Sequence, residues 1–330
     1  MTKTAHNPTR RRLLGGAGTL GLMLALPGTA SAQADKFPNR PITLIVPFPA
    51  GGVTDVQMRA LARALGQELG QSVTVLNQPG VGGSLGPAAM ARSAAPDGYT
   101  IAIGSGTLFR LPLLQKVNFD PAKDFSYIIN LTGFTMGIVV RTDSPWKNLD
   151  DLLADAKTRP EQINYGSTGV GSSGHVAMER LAKATGTRFN YIPYKGGAEE
   201  ATALLGGHID FISNAGWGAQ VTAGKMRLLG TYSEQRLKLR PDVPTLKELG
   251  HDLVITSPIG IIGPHGMPDA VVAKLHDAFK RVMSDSIYQQ ALAQYDMEDF
   301  YMSSSDYRAY GLDQMKREKV FLEQLGIQLQ

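Results

Sequence analysis

Ile42-Thr43-Leu44-Ile45-Val46 is an almost unbroken apolar run of strand length, and it stops dead at Pro47-Phe48-Pro49-Ala50-Gly51-Gly52. A strand that is apolar on nearly every residue is covered on both faces, the habit of sheets flanked by helices. The helix that follows, at about 54–69, places Met58, Leu61, Ala62, Leu65 and Leu69 at spacings of three and four, so they share one face. The same unit then recurs. Residues 72–77 read as a strand, a Gly-rich turn leads to a small-residue helix near 87–92, and 100–104 reads as a third strand. Strands joined through helices by loops this short pair in parallel, with right-handed crossovers.

A second series begins near 141. Helical patterns at 150–157, 173–185, 197–205 and around 217–223 alternate with strand patterns at 163–167, 189–193, 209–213 and 226–231. Helices close the chain at 268–284 and 304–325, and the last is long enough to pack back on the first unit. The expectation is an α/β chain of two lobes, each a mostly parallel sheet flanked by helices. Lobe 1 spans 33–140, lobe 2 spans 141–255, and 256–330 returns to lobe 1. Two crossings between lobes, near 140 and 255, form a hinge suited to closing on a ligand.

Ahead of this lies a leader with the three parts of an export signal: Arg10-Arg11-Arg12, an apolar run over 13–26, and Ala30-Ser31-Ala32. Cleavage is expected after Ala32, giving an exported chain that starts at Gln33. Paired arginines suit twin-arginine export, and the general secretory route is equally open. The leader holds four of the 33 basic residues and no acid, which leaves 29 against 29 acids and a formally neutral remainder. No nucleic-acid partner is expected from such a balance. Absence of cysteine excludes disulfides, thiol catalysis, thiolate metal sites and a lipid-modified N-terminal cysteine. The mature chain is expected to be soluble and monomeric.

Three strand-to-helix junctions carry the chemistry. The first, Phe48-Pro49-Ala50-Gly51-Gly52-Val53-Thr54-Asp55, sits at the carboxyl end of a buried strand, where open α/β sheets bind ligands. Its glycines admit close backbone approach, and the helix start offers free N–H groups to an anion. Asp55 is awkward beside an anion and is read as a helix cap or a partner for water or a ligand amine. The second, from Gly166 and Ser167 through Thr168, Gly169, Val170, Gly171, Ser172 and Ser173 to Gly174 and His175, is crowded with hydroxyls and glycines. Gly169, Gly171 and Gly174 match the dinucleotide spacing, but the next strand ends Asn190-Tyr191-Ile192-Pro193-Tyr194 without the ribose-binding acid. No nicotinamide dinucleotide is therefore expected, and a small anion fits better. The third, Tyr194-Lys195-Gly196-Gly197, offers Lys195 to a ligand carboxylate. Asn214 follows a further strand end, and Trp217 is either an aromatic wall of the cleft or a packing residue. Thr107, Phe109 and Arg110 are weaker candidates, Arg110 being read as an exposed arginine.

Enzyme signals are sparse. There is no nucleophile elbow, and His175, His208, His251, His265 and His276 lack zinc-ligand spacing, so no metal is expected. His175 with a serine leaves a hydrolase or transferase open, and a ligand sensor for a signalling receptor is a third reading.

The ordered motifs Phe37-Pro38-Asn39-Arg40-Pro41-Ile42, Val46-Pro47-Phe48-Pro49-Ala50-Gly51-Gly52, Asn77-Gln78-Pro79-Gly80-Val81-Gly82-Gly83, Pro96-Asp97-Gly98-Tyr99-Thr100, Leu205-Gly206-Gly207-His208-Ile209-Asp210 and Arg240-Pro241-Asp242-Val243-Pro244-Thr245-Leu246 run the length of the mature chain. With them the sequence resembles the Bug, or TctC-like, substrate-binding proteins of tripartite tricarboxylate transporters. The resemblance implies a periplasmic Venus-flytrap fold, no catalysis, no cofactor, a small carboxylate ligand and delivery to the transporter's membrane subunits. It also implies that the loops at 49–55 and 167–175 grip the carboxylate, partly through water. Phe211-Ile212-Ser213-Asn214-Ala215-Gly216-Trp217 differs from the usual family wording, which leaves the ligand's far end open.

Overall fold

The protein is described by a computed structural model over residues 37–324. The leader and its cleavage point after Ala32 lie outside the described residues. In chain order the first part gives β1 (Ile42–Val46), α1 (Val53–Leu69), β2 (Val73–Asn77), α2 (Leu85–Ser93), β3 (Thr100–Ser105), α3 (Gly106–Leu114) and β4 (Phe125–Gly133). The second part gives β5 (Gly137–Arg141), α4 (Leu149–Thr158), β6 (Asn164–Ser167), α5 (Ser173–Thr185), β7 (Asn190–Pro193), α6 (Gly197–Leu205), β8 (Phe211–Asn214), α7 (Gly218–Thr222) and β9 (Met226–Thr231). The chain then returns through β10 (Pro258–Pro264), α8 (Asp269–Val282), α9 (Ser286–Ala293), β11 (Asp299–Met302) and α10 (Ser304–Gln324).

Two sheets result. The first has the order β11-β4-β10-β3-β1-β2 and the second β7-β6-β8-β5-β9. Each is flanked by helices and has its own apolar core. Leu44, Met58, Leu61, Leu65, Ile101, Ile261 and Phe279 meet in the first; Ile138, Leu152, Tyr165, Met178 and Phe211 meet in the second. Burial of this kind is the dominant favourable term in folding.

Pairing is mixed rather than mostly parallel. β1 pairs in parallel with β2 and β3, and β6 with β7 and β8, as the short helical crossovers require. β4, β5, β9, β10 and β11 pair antiparallel. The cause is the hinge. β4 runs straight out of the first sheet into β5 of the second, and the chain comes back from β9 to β10, so these strands meet the cleft from the opposite sense. The helix-free connections β4–β5 and β9–β10 gave no periodic signal, so β4, β5 and β10 were not foreseen; nor was β11, a four-residue strand reached from β10 through α8 and α9.

All the junction loops nonetheless face one crevice, because the carboxyl ends of β1, β3, β6 and β8 open onto it. The two crossings run side by side there. Phe134 N–H donates to the Ser257 carbonyl at 2.8 Å, and Tyr232 N–H to the Met136 carbonyl at 3.0 Å. The C-terminal helix α10 lies on the first sheet, where the Tyr307 hydroxyl donates to the Gly104 carbonyl at 3.0 Å.

Candidate functional site

Between the sheets lies a cavity of about 370 Å³, within the range typical of small-molecule sites. Four helix starts line it: Gly52, Val53 and Thr54 at α1; Ser105 and Thr107 at α3; Ser172 and Ser173 at α5; Gly196, Gly197, Ala198 and Glu199 at α6. The first N–H groups of a helix have no intrahelical acceptor and carry the positive end of the helix dipole. Three of these starts, capped by Gly52, Ser105 and Gly196, have no side-chain cap at all. At the fourth, Ser172 Oγ accepts from His175 N–H at 3.4 Å, a long contact. A buried Ser105 hydroxyl also lacks a hydrogen-bond partner among the described residues. Convergent, uncapped amides are an anion site without a cation in it.

The rest of the lining is neutral or apolar. Phe48 and Phe134 meet edge-to-face, ring centres 6.0 Å apart, and Met136, Pro49, Pro79 and Ala215 complete the wall. The charged lining residues are Lys195 and Glu199, both exposed at the rim. Glu199 is occupied, since its carboxylate accepts from Lys195 N–H at 3.0 Å.

Of the residues expected from sequence, Phe48, Pro49, Gly52, Thr54, Thr107, Thr168, Ser172, Ser173, Lys195 and Asn214 come together on the cavity. The others stand behind it or beside it. Asp55 is buried and accepts from Gly51 N–H, Arg59 Nε and Asn77 Nδ2 at 2.9, 2.9 and 2.8 Å, so it fixes the loop that carries Ala50 and Gly51. Burial alone would raise its pKa; the hydrogen bonds from Arg59, Gly51 and Asn77 outweigh that and hold it below its ordinary value. Ser167 Oγ lies 2.9 Å from Ser172 Oγ and braces the second loop. Gly169, at φ +93°, brings that loop against Gly82, whose N would lie 3.6 Å from a Cβ on Gly169. Tyr194 packs under Gly166.

His175 is turned away from the cavity. Its ring packs on Tyr191 with centres 4.3 Å apart, and Nδ1 accepts from Gly171 N–H at 3.2 Å. Burial, with the Arg110 charge nearby, pushes its pKa down to about 4. The serine–histidine pair of the hydrolase reading is not formed: the Ser173 hydroxyl donates to Ser257 at 3.0 Å, and Ser172 meets Ser167.

Trp217 is a packing residue, 1% exposed among Val139, Leu204 and Ile212. Arg110 was expected on the surface and is instead fully buried, because α3 lies beneath α10 and Glu318 supplies its counter-charge at 2.8 Å.

Sequence reasoning missed Phe134, Met136 and Ser257, which reach the cavity from the hinge crossings and follow no strand–helix signature. It also missed Glu200. This carboxyl is buried behind the cavity, accepts from Asn214 Nδ2 at 2.7 Å, and is pushed up to about 8, burial outweighing that one hydrogen bond. A glutamate in the first turn of α6 reads as an ordinary acidic helix start, so nothing in the sequence marks it.

Residues 57–327 match the family described as the tripartite tricarboxylate transporter family receptor, TctC. The UPF0065 protein in the gbd 5' region of Cupriavidus necator is 46% identical over 323 residues, 98% of both chains. The periplasmic binding protein BugD superposes with a TM-score of 0.83 at 30% identity, covering 88% of this chain and 99% of its own. R. palustris Rpa4515 with adipate gives the same TM-score at 27% identity, with 88% and 99% covered. The uncapped helix starts, the hinged pair of sheets and these likenesses agree: the chain belongs to the TctC receptor family of solute-binding proteins.

Proposed function

We propose that this chain captures a small carboxylate between its two lobes in the periplasm and delivers it to the membrane subunits of a tripartite tricarboxylate-type transporter. The observation that carries the reading is the meeting of four helix starts on one cavity, three of them uncapped. The carboxylate lies against Gly52–Thr54 and Ser172–Ser173, with Thr107, Thr168, Lys195 and Asn214 to meet other polar atoms. Phe48, Phe134 and Met136 pack on an apolar body. A related receptor of this fold holds adipate, a carboxylate at each end of a methylene chain. No described helix is long and apolar enough to cross a membrane. Ligand affinity for the closed form then drives the change of shape that a transporter reads.

Isothermal titration calorimetry against adipate, benzoate, glutamate and citrate tests this. Saturable binding of at least one acid, with a Kd of about 1 μM or below (about −8 kcal/mol), is the expected result. No heat and no rise in melting temperature from any of the four overturns it.

A further inference from the structure

Arg110 sits one turn into α3 without exposed surface. Its Nη1 donates to the Gly171 carbonyl at 2.8 Å, and its Nη2 pairs with Glu318 of α10, also at 2.8 Å. The second carboxylate oxygen of Glu318 lies 3.6 Å from Arg180 of α5. These three contacts are of two kinds. Arg110 and Glu318 both belong to helices on the first sheet, so their ion pair stays intact however the lobes move. Gly171 and Arg180 belong to the second sheet, so the contacts they make from there exist only while the lobes are together.

Gly171 lies between Thr168 and Ser172, which line the cavity, and its own N–H is taken by His175. Arg110 therefore touches the back of the loop whose front faces the ligand. A guanidinium deprived of water needs its donors matched, and Glu318 meets only part of that need. The Gly171 carbonyl supplies an acceptor, and a charge-assisted bond to it is about twice as strong as a neutral one. Opening the lobes exchanges that bond for water. The bond thus contributes to the closed state and to no other, which is the requirement for biasing a two-state equilibrium. Glu318 aims the arginine in both states and adds an attraction to Arg180 in one.

We propose that Arg110 is a positioning residue which, with Glu318 and Arg180, sets the balance between open and closed lobes from behind the ligand cavity. The proposal rests on the two-lobed receptor reading, and the test separates the two. Because the chain has no cysteine, Arg63→Cys in α1 and Lys157→Cys in α4, both exposed positions, give a single pair of spin labels, one on each lobe. Distance distributions are recorded by double electron–electron resonance on ligand-free protein and with adipate, beside a melting curve for each variant.

Arg110→Met is expected to move the closed-to-open ratio of the ligand-free protein about tenfold toward open, the size of one lost charge-assisted hydrogen bond, and Arg180→Gln about two- to threefold, the size of an ion-pair attraction at 3.6 Å. Arg180→Gln removes the charge that faces Glu318 from a side chain 23% exposed, and it decides the matter if Arg110→Met unfolds. Unchanged distances in Arg180→Gln and in any folded Arg110→Met, in a protein whose parent shows both distances, overturn the proposal and leave the receptor intact. One identical distance in the parent, with and without adipate, and in every variant overturns both.

Discussion

Asn77 Nδ2 donates to Asp55 Oδ1 at 2.8 Å and to the Phe48 carbonyl at 3.0 Å, tying the end of β2 to both sides of the β1–α1 loop. With Gly51 N–H and Arg59 on its other oxygen, Asp55 shapes that loop without reaching the cavity. Replacing Asp55 by Ala is expected to cost about 2–3 kcal/mol of stability, the loss of a buried, charge-assisted network. Its pKa is depressed, so the contribution is present above the ordinary carboxylate value of 3.8 and disappears as pH falls through the lower folded value. Thermal melts between pH 2 and 7 check this: the parent loses an acid-sensitive increment that Asp55→Ala lacks.

His175 acts in the same direction along the pH axis, over a higher interval. Its folded pKa of about 4 lies below its ordinary 6.5, so unfolding takes up a proton between these values. Stability is complete above pH 6.5 and declines toward pH 4, by about 3 kcal/mol at the most. His175→Gln keeps an acceptor for Gly171 N–H and is expected to flatten that decline in chemical denaturation at pH 4.5, 5.5 and 7. An equal slope in both proteins refutes the assignment.

Glu200 opposes that trend. With a folded pKa of about 8 against an ordinary 4.5, the folded state keeps a proton that the unfolded state has lost, so stability falls as pH rises across this interval. Glu200→Gln retains an acceptor for Asn214 and carries no charge. It is expected to gain about 1–2 kcal/mol over the parent at pH 8, and much less at pH 5. Melting temperatures at the two pH values are the measurement.

Gly196 tests closure apart from stability. Its backbone is extended, at φ −174°, which any residue adopts, but a Cβ there would lie 2.9 Å from Pro49 Cδ on the facing lobe. Gly196→Ala is expected to weaken carboxylate binding about tenfold or more while the melting temperature holds or rises slightly, since alanine restricts the unfolded chain. Calorimetry and a melting curve on the same preparation give both numbers.

The parallel half of each sheet was legible because each strand there hands directly to a helix. Apolar run, glycine break and 3.6-residue period then follow one another within twenty residues. The starts of α5 and α6 were foreseen to the residue, at Ser173 and Gly197. Those same junctions put Thr54, Ser172 and Lys195 on the cavity. What escaped was set by partners far away in the chain. Arg110 is buried because Glu318 lies 208 positions on, and Ser257 reaches the site only because Phe134 pairs with it. A local pattern carries no record of such meetings. Trp217 was ambiguous for a related reason: its environment is decided by β5 and β9, strands that pack over it from elsewhere.

The bond from Phe134 to Ser257 joins the two inter-lobe passages into a single narrow ribbon beside the cavity. A ribbon bends across its face far more readily than it shears along its length, so the lobes are left essentially one rotation to perform. In the receptor role proposed above, solutes of different shape would then be reported outward in a common form, as an angle. A membrane partner that recognises that angle has no need to inspect the cargo.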